Sequence, residues 1–255
     1  MTLPSIIAVG SQKGGVGKTT TSISLGASLA EMDQKVLLID LDPQAHLTFA
    51  FGLEPERLQS MILEVILGDA PLMDVVHHTS LPSLDLVPAA EGLAVLERRL
   101  YDRPEYEYLL KTALEQVKPK SYDVIIIDSP PSVGTLMLNA LTTAELLVVP
   151  TQCEYYAVRS MRRVLQLVRL VREKTNPALA YRVLITMFDK QNRLANVLRD
   201  QLSGWLEGGL LETFIETDPK IRESAAVRQP VTQYAPQSFG AVQYRQLARE
   251  LMNYE

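Results

Sequence analysis

The chain has 255 residues, 47% of them hydrophobic, which suits one sizeable globular core better than two small ones. The lone Cys153 excludes a disulfide framework, fits a reducing cytosol and leaves too few thiolates to hold an iron–sulfur cluster. A net charge of −5 excludes a protein that is basic all over, but not a local basic surface.

Apolar runs of strand length alternate with helix-period segments from end to end. The N-terminal MTLPSIIAVG lacks the charged start and long apolar core of a signal peptide, and no apolar run reaches the roughly 18 residues of a membrane span. Strands are expected at 5–10, 35–40, 84–88, 122–128, 145–150, 181–187 and 210–215. The runs VLLID, VIIID and LLVVP are continuously apolar, as strands covered on both faces are. Helical patterns fall at 18–32, 57–67, 104–118, 134–143, 156–174, 191–206 and 238–252. The segment 68–105, with Pro71, Pro82, Pro88 and Pro104, reads as surface loops around one strand. The alternation predicts an α/β fold: a doubly wound, mostly parallel sheet with helices on both faces and ligand chemistry at the carboxyl ends of the strands.

The most informative stretch is QKGGVGKTT, residues 12–20. A strand, a Gly-rich turn and a helix N-terminus make a phosphate cradle, because backbone N–H groups and the helix dipole converge on an anion. The common loop G-x-x-x-x-G-K-[ST] has Gln12 where its first Gly belongs; the variant K-G-G-x-x-K-T matches instead and adds Lys13. Lys18 is placed to reach the β and γ phosphates and the Thr19 hydroxyl to ligate Mg²⁺. Lys13, on the loop crest where Lys18 already serves its own site, is better placed to reach a second subunit's nucleotide.

This loop resembles the deviant Walker A motif of the ParA/MinD ATPases, a branch of the P-loop NTPases, and further stretches carry the likeness along most of the chain: KVLLIDLDPQ (35–44), YDVIIIDSPPS (122–132), ELLVVPTQCEYYAV (145–158) and YAPQSFGAVQYRQLARELM (234–252). The resemblance implies a single P-loop ATPase domain over 1–255, with ATP and Mg²⁺ as cofactors. It implies nucleotide binding by Lys13, Gly14, Gly15, Val16, Gly17, Lys18, Thr19 and Thr20, and catalysis by Lys13, Lys18 and Asp42, the last activating water. Asp40 is expected in the magnesium neighbourhood with Thr19, and Asp128, closing VIIID, as the Walker B acid. Asn139 and Asp189 fall where relatives contact nucleotide or cross the subunit interface.

The chain departs from that pattern at two places. DPQ continues with Ala45 and His46 rather than Gly-Asn, which leaves His46 as a switch substitution, or facing nucleotide or partner. An Ile-Pro-Arg element near the adenine is replaced by IETDPKIRES (215–224), so Pro219 is expected in a shifted part.

P-loop chemistry alone allows a kinase, a GTPase or a motor. Acceptor-pocket and lid motifs and the Asn-Lys-x-Asp base-reading tetrapeptide are missing, which favours an ATPase. The chain ends QLARELMNYE, without the basic amphipathic tail that suits a membrane surface. Its first strand begins by residue 5, so operator reading through a helix-turn-helix ahead of the core, as in some plasmid-borne relatives, is not expected.

By resemblance, an ATP-bound homodimer binds DNA non-specifically through Lys190, Arg193, Arg199, Lys220, Arg222 and Arg228. A ParB-like partner then stimulates hydrolysis, and the expected location is cytoplasmic and nucleoid-associated. Two alternatives stand beside this: positioning of a protein cargo, and an ATP-gated assembly switch without DNA. Residues 159–174 hold Arg159, Arg162, Arg163, Arg169, Arg172 and Lys174 against Glu173 alone. Arg162, Arg163 and Arg169 read as a solvated helix face or a dimer edge.

Overall fold

The computed structural model describes residues 3–101, 103–118, 120–154 and 157–253; Tyr155 and Tyr156, part of one of the motif stretches, lie outside them. In chain order the elements are β1 (Ile6–Val9), α1 (Lys18–Ala30), β2 (Val36–Asp40), α2 (His46–Ala50), α3 (Ile62–Leu67), β3 (His77–His78) and β4 (Leu84–Val87). They continue with α4 (Gly92–Leu100), α5 (Leu109–Glu115), β5 (Val124–Asp128), α6 (Thr135–Thr143), β6 (Leu146–Thr151) and α7 (Ala157–Lys174). The last are β7 (Ala180–Phe188), α8 (Arg193–Leu206), β8 (Leu210–Glu216), α9 (Pro219–Ala226), α10 (Val231–Tyr234) and α11 (Phe239–Met252).

The strands form one sheet in the order β3-β4-β2-β5-β1-β6-β7-β8, parallel throughout except for the antiparallel β3–β4 edge. β2 and β6 are buried at every position, which is why VLLID and LLVVP carry no polar alternation. Two apolar cores flank the sheet. One gathers Ile39, Ile127, Leu136, Leu147 and Val168 under α3 to α7; the other gathers Ile7, Leu25, Leu38, Val148, Tyr244 and Leu247 under α1, α10 and α11. Each fully buried Leu or Ile contributes about 1.5–3 kcal/mol relative to exposure.

The register sets the site. Val9 of β1 pairs with Asp128 of β5, and Asp128 pairs with Asp40 of β2. Three neighbouring strands therefore end level, and the loops leaving them share one carboxyl edge.

The expected loop segment 68–105 is more ordered than its prolines suggest. It holds β3, β4 and α4, whose Leu93, Leu96 and Leu100 are buried. α2, α9 and α10 were also not expected, and two expected helices begin late, at Ile62 and Leu109. Ahead of them, residues 55–57 and 106–108 turn as short 3₁₀ segments, and Glu105 has a left-handed backbone (φ 55°) that interrupts an α-helix. Among the described residues no helix is long and apolar enough to cross a membrane.

Candidate active site

The loop between β1 and α1 is held by a few contacts and otherwise left open. Gly10 N–H donates to Val148 O (3.0 Å), and a side chain at Gly10 would put its Cβ 2.9 Å from Ser129 Oγ, so the loop leaves the sheet at a glycine. Gly15 and Gly17 have φ of +72° and +85°, a region costly for residues with a Cβ. Between them Val16 is buried, and its carbonyl accepts from Thr186 Oγ1 of β7 (2.8 Å). No side chain caps α1, whose N-cap is Gly17. The first-turn amides are thus left to an anion, as the motif requires.

Lys18 is 8% exposed, and burial lowers its pKa against the opposing charges of Asp128 and Asp42. A buried ammonium between two carboxylates is a counter-charge for phosphate oxygens. One residue on, Thr19 Oγ1 donates to Asp128 Oδ2 (2.7 Å), and Ser22 Oγ, the next position on the same helix face, donates to Asp128 Oδ1 (2.8 Å). Asp128 is buried, and burial raises its pKa while the two hydroxyl donors oppose the rise. A hydroxyl and a carboxylate in contact at a helix N-terminus are hard oxygen donors, and they fit magnesium carried by a nucleotide phosphate. Among the described residues no cluster of three or more His, Cys, Asp or Glu side chains forms a closed metal cage. The ion would draw its other ligands from phosphate and water.

Asp42 follows at the mouth of the same edge. It is 6% exposed; Oδ1 accepts the Gln44 amide (3.0 Å), and the turn closes through Ala45 N–H to Asp42 O (2.9 Å). Asp42 Oδ2 has no protein partner among the described residues, so one oxygen remains for water. His46, at the start of α2, is exposed.

Asp40 lies deeper than Asp42. Its carboxylate is fully buried and faces inward: Oδ1 accepts Asp42 N–H (3.1 Å), and Oδ2 accepts Thr48 N–H (2.9 Å) and Thr48 Oγ1 (2.8 Å). Thr48 Oγ1 in turn accepts Ala89 N–H from the turn after β4 (2.9 Å). With three of its acceptor positions taken by the protein, Asp40 ties the Asp42 turn and α2 to the sheet, beside Asp128 of the neighbouring strand. Burial, then the neighbouring Asp128, raises its pKa.

Asn139 is likewise engaged with the protein. It is fully buried in α6, its amide donates to Tyr106 O (2.7 Å) and Thr135 O (2.9 Å), and its oxygen accepts Leu110 N–H (3.0 Å). It fastens the start of α5 to α6. Asp189 is exposed just past β7 and caps its own turn through Gln191 N–H (2.9 Å). Pro219 is the exposed first residue of α9. A pocket of about 60 Å³ opens beside the phosphate loop, lined by Gly17, Thr20, Met187, Thr217, Asp218 and Ile221 among others. The departure from the family pattern at 215–224 therefore sits on the wall next to the cradle, through Thr217 and Asp218 rather than Pro219.

Lys13 is paired within its own chain: Nζ lies 2.9 Å from Gln152 Oε1 and 2.5 Å from Glu154 Oε2, in the loop after β6. Neither partner was foreseen. The six DNA candidates fall into two groups. Lys190, Arg199 and Lys220 are ion-paired with Glu216 (2.8 Å), Asp200 (2.7 Å) and Glu223 (2.7 Å). Arg193, Arg222 and Arg228 are exposed and have no carboxylate partner among the described residues. On α7, Arg162, Arg163 and Arg169 are likewise exposed, opposite the buried Met161, Val164, Val168 and Val171.

With this geometry in place, the comparisons with known proteins fall into line. A family model described as an AAA domain matches residues 4–181. The sporulation initiation inhibitor protein Soj of Bacillus subtilis is 40% identical over 247 residues, covering 96% of this chain and 97% of that protein. The chromosome partitioning protein ParA of Myxococcus xanthus is 36% identical, covering 98% and 89%. A Mycobacterium smegmatis protein described as cobyrinic acid a,c-diamide synthase has crystal structures with ADP and magnesium (TM-score 0.82, 36% identity) and with an ATP analogue and magnesium (0.81, 37%). Each covers 98% of this chain and 94% of that one. On these matches the chain belongs to the ParA/MinD-type partitioning ATPases, P-loop enzymes that use ATP and Mg²⁺.

Proposed function

We propose that this ATPase works as a nucleotide-gated dimer that binds DNA without sequence preference, and that a ParB-like partner ends the bound state by stimulating hydrolysis. One observation carries the reading: of two lysines five residues apart, Lys18 is buried against Asp128 and Asp42, whereas Lys13 is half-exposed and occupied by Glu154 and Gln152 of the loop after β6. A cation outside its own phosphate cradle is available to a second subunit's nucleotide once its local pairing is exchanged. The exchange is inexpensive, since Lys13 and Glu154 are 39% and 54% exposed and such pairs contribute about 0–1 kcal/mol.

Within each site, Lys18 and the free amides at the start of α1 bind the β and γ phosphates. Thr19 and Asp128 hold Mg²⁺, Asp42 orients the attacking water, and Asp40 keeps Asp42 in place. The pocket walled by Thr217 and Asp218 adjoins the cradle on the side left for the base. The DNA contacts are phosphate contacts from Arg193, Arg222 and Arg228, joined by Lys190, Arg199 and Lys220 when their carboxylate partners are exchanged for phosphate.

Retention on random duplex DNA tests the reading. With ATP and Mg²⁺ at low salt the protein is retained, and ADP or moderate salt releases it. No retention with ATP and Mg²⁺ even at low salt contradicts it and favours an ATP-gated assembly switch. The name of the M. smegmatis relative suggests ATP-driven amide formation instead; turnover that rises with DNA and needs no amine acceptor separates the two.

A further inference from the structure

The turn that follows Asp128 ends at Gly134, the N-cap of α6, and no side chain of its own caps that helix. Ordinarily an N-cap Ser, Asp or Asn lends an oxygen to the second or third amide of the helix. Here the space where a Gly134 side chain would begin is filled by a carboxylate from another helix. A Cβ built on Gly134 would overlap Glu97 Oε1 and lie 2.8 Å from Glu97 Cδ. That oxygen is buried and accepts no hydrogen bond among the described residues. A second link joins the same residues, because Thr135 Oγ1 donates to Glu97 O (3.3 Å).

Glu97 belongs to α4, which turns Leu93, Leu96 and Leu100 into the core and leaves Val95, Arg98 and Arg99 exposed. A buried carboxylate oxygen without a donor is costly, and its cost falls as soon as an N–H reaches it. Gly134 is the N-cap of α6, so the amides that follow it are the first of that helix, which lack helical partners and present the positive end of the helix dipole.

We infer that Glu97 is a cap for α6 supplied by α4, seated on Gly134 without a hydrogen bond in this structure and closing onto the α6 amides when a nucleotide phosphate draws in the turn 129–134. Glu97 is a positioning residue: it touches neither phosphate nor metal and acts through the turn leaving Asp128. α4 then reports the nucleotide state at the protein surface. The inference rests on the nucleotide site described above.

Amide hydrogen exchange with a non-hydrolysable ATP analogue and Mg²⁺ tests it on the whole chain. In the wild type, exchange at 92–100 and 135–137 slows together on adding the analogue, by about five-fold, the scale of one helix cap. In Glu97→Ala the nucleotide response of both segments disappears, and Glu97→Gln, which keeps an acceptor oxygen, restores part of it. Gly134→Ala displaces the carboxylate and reproduces Glu97→Ala, and the double variant is no worse than either single. A merely structural role would speed exchange equally with and without nucleotide, and that result overturns the inference. So does an analogue that protects 12–20 while 92–100 stays unchanged. If 12–20 is itself unprotected, the inference falls together with the nucleotide site.

Discussion

At the residue scale, Asp128 sets a stability cost against a function. Its pKa is raised because burial disfavours the charge, even with Thr19 and Ser22 donating to it. The folded apo protein therefore binds a proton more tightly than the unfolded chain. That contribution to stability is complete below the unfolded pKa of about 4 and is lost as pH rises through the folded value. Asp128→Asn removes the dependence. Its amide can accept from one hydroxyl and donate to the other, so thermal unfolding should show the apo variant at least as stable as wild type at pH 8, the gap closing towards pH 5. Mg²⁺-dependent turnover is lost in the same variant. Thr48 bears the other buried network: Thr48→Val removes a donor to Asp40 and the acceptor of Ala89 N–H, and should cost about 1–3 kcal/mol by denaturant unfolding.

At the scale of elements, the phosphate loop depends on two left-handed glycines. Gly17→Ala should cost about 1–2 kcal/mol in stability from φ alone, and more in nucleotide affinity because the loop must change shape. β2, β5 and β6 were legible in the sequence because a strand covered on both faces needs an unbroken apolar run. Asp40 and Asp128 were legible because they close the runs of β2 and β5. α4 was not: its Leu93, Leu96 and Leu100 have helical spacing, but prolines at 82, 88 and 104 bracket the segment and dominate a local reading. Ser22 carried a faint signal, three residues after Thr19 and so on the same helix face. Glu154 and Gln152 carried none, since nothing local says that the loop after β6 meets Lys13. Asn139 was placed by resemblance and Asp40 by resemblance together with its strand-end position, and both locate a residue on an element but not the direction its polar atoms face.

At the scale of the whole molecule, charge is segregated. Residues 159–174 hold six cations and one acid, a net of +5, so the rest of a chain of net −5 carries −10. A basic face on an acidic protein binds a polyanion only where cations are not already neutralised. Arg193, Arg222 and Arg228 meet that condition, and Lys190, Arg199 and Lys220 must first give up Glu216, Asp200 and Glu223. Replacing Arg193, Arg222 and Arg228 together by Glu should reduce the slope of log affinity against log salt by about 3, near 0.9 for each lost phosphate contact. The same change at Arg162, Arg163 and Arg169 should leave it unaltered. If the α7 set lowers the slope instead, the DNA face lies on that helix.

The central claim is that the second lysine makes a hydrolysis site into a dimer switch. Solution mass by light scattering, with Asp42→Ala in the background to slow hydrolysis, measures it directly. With ATP and Mg²⁺ that protein should approach twice its monomer mass, and with ADP it should return to one. Adding Lys13→Ala should keep nucleotide binding and hold the protein at the monomer mass in both states. A dimer that forms equally well without Lys13, or a monomer under every condition, contradicts the account.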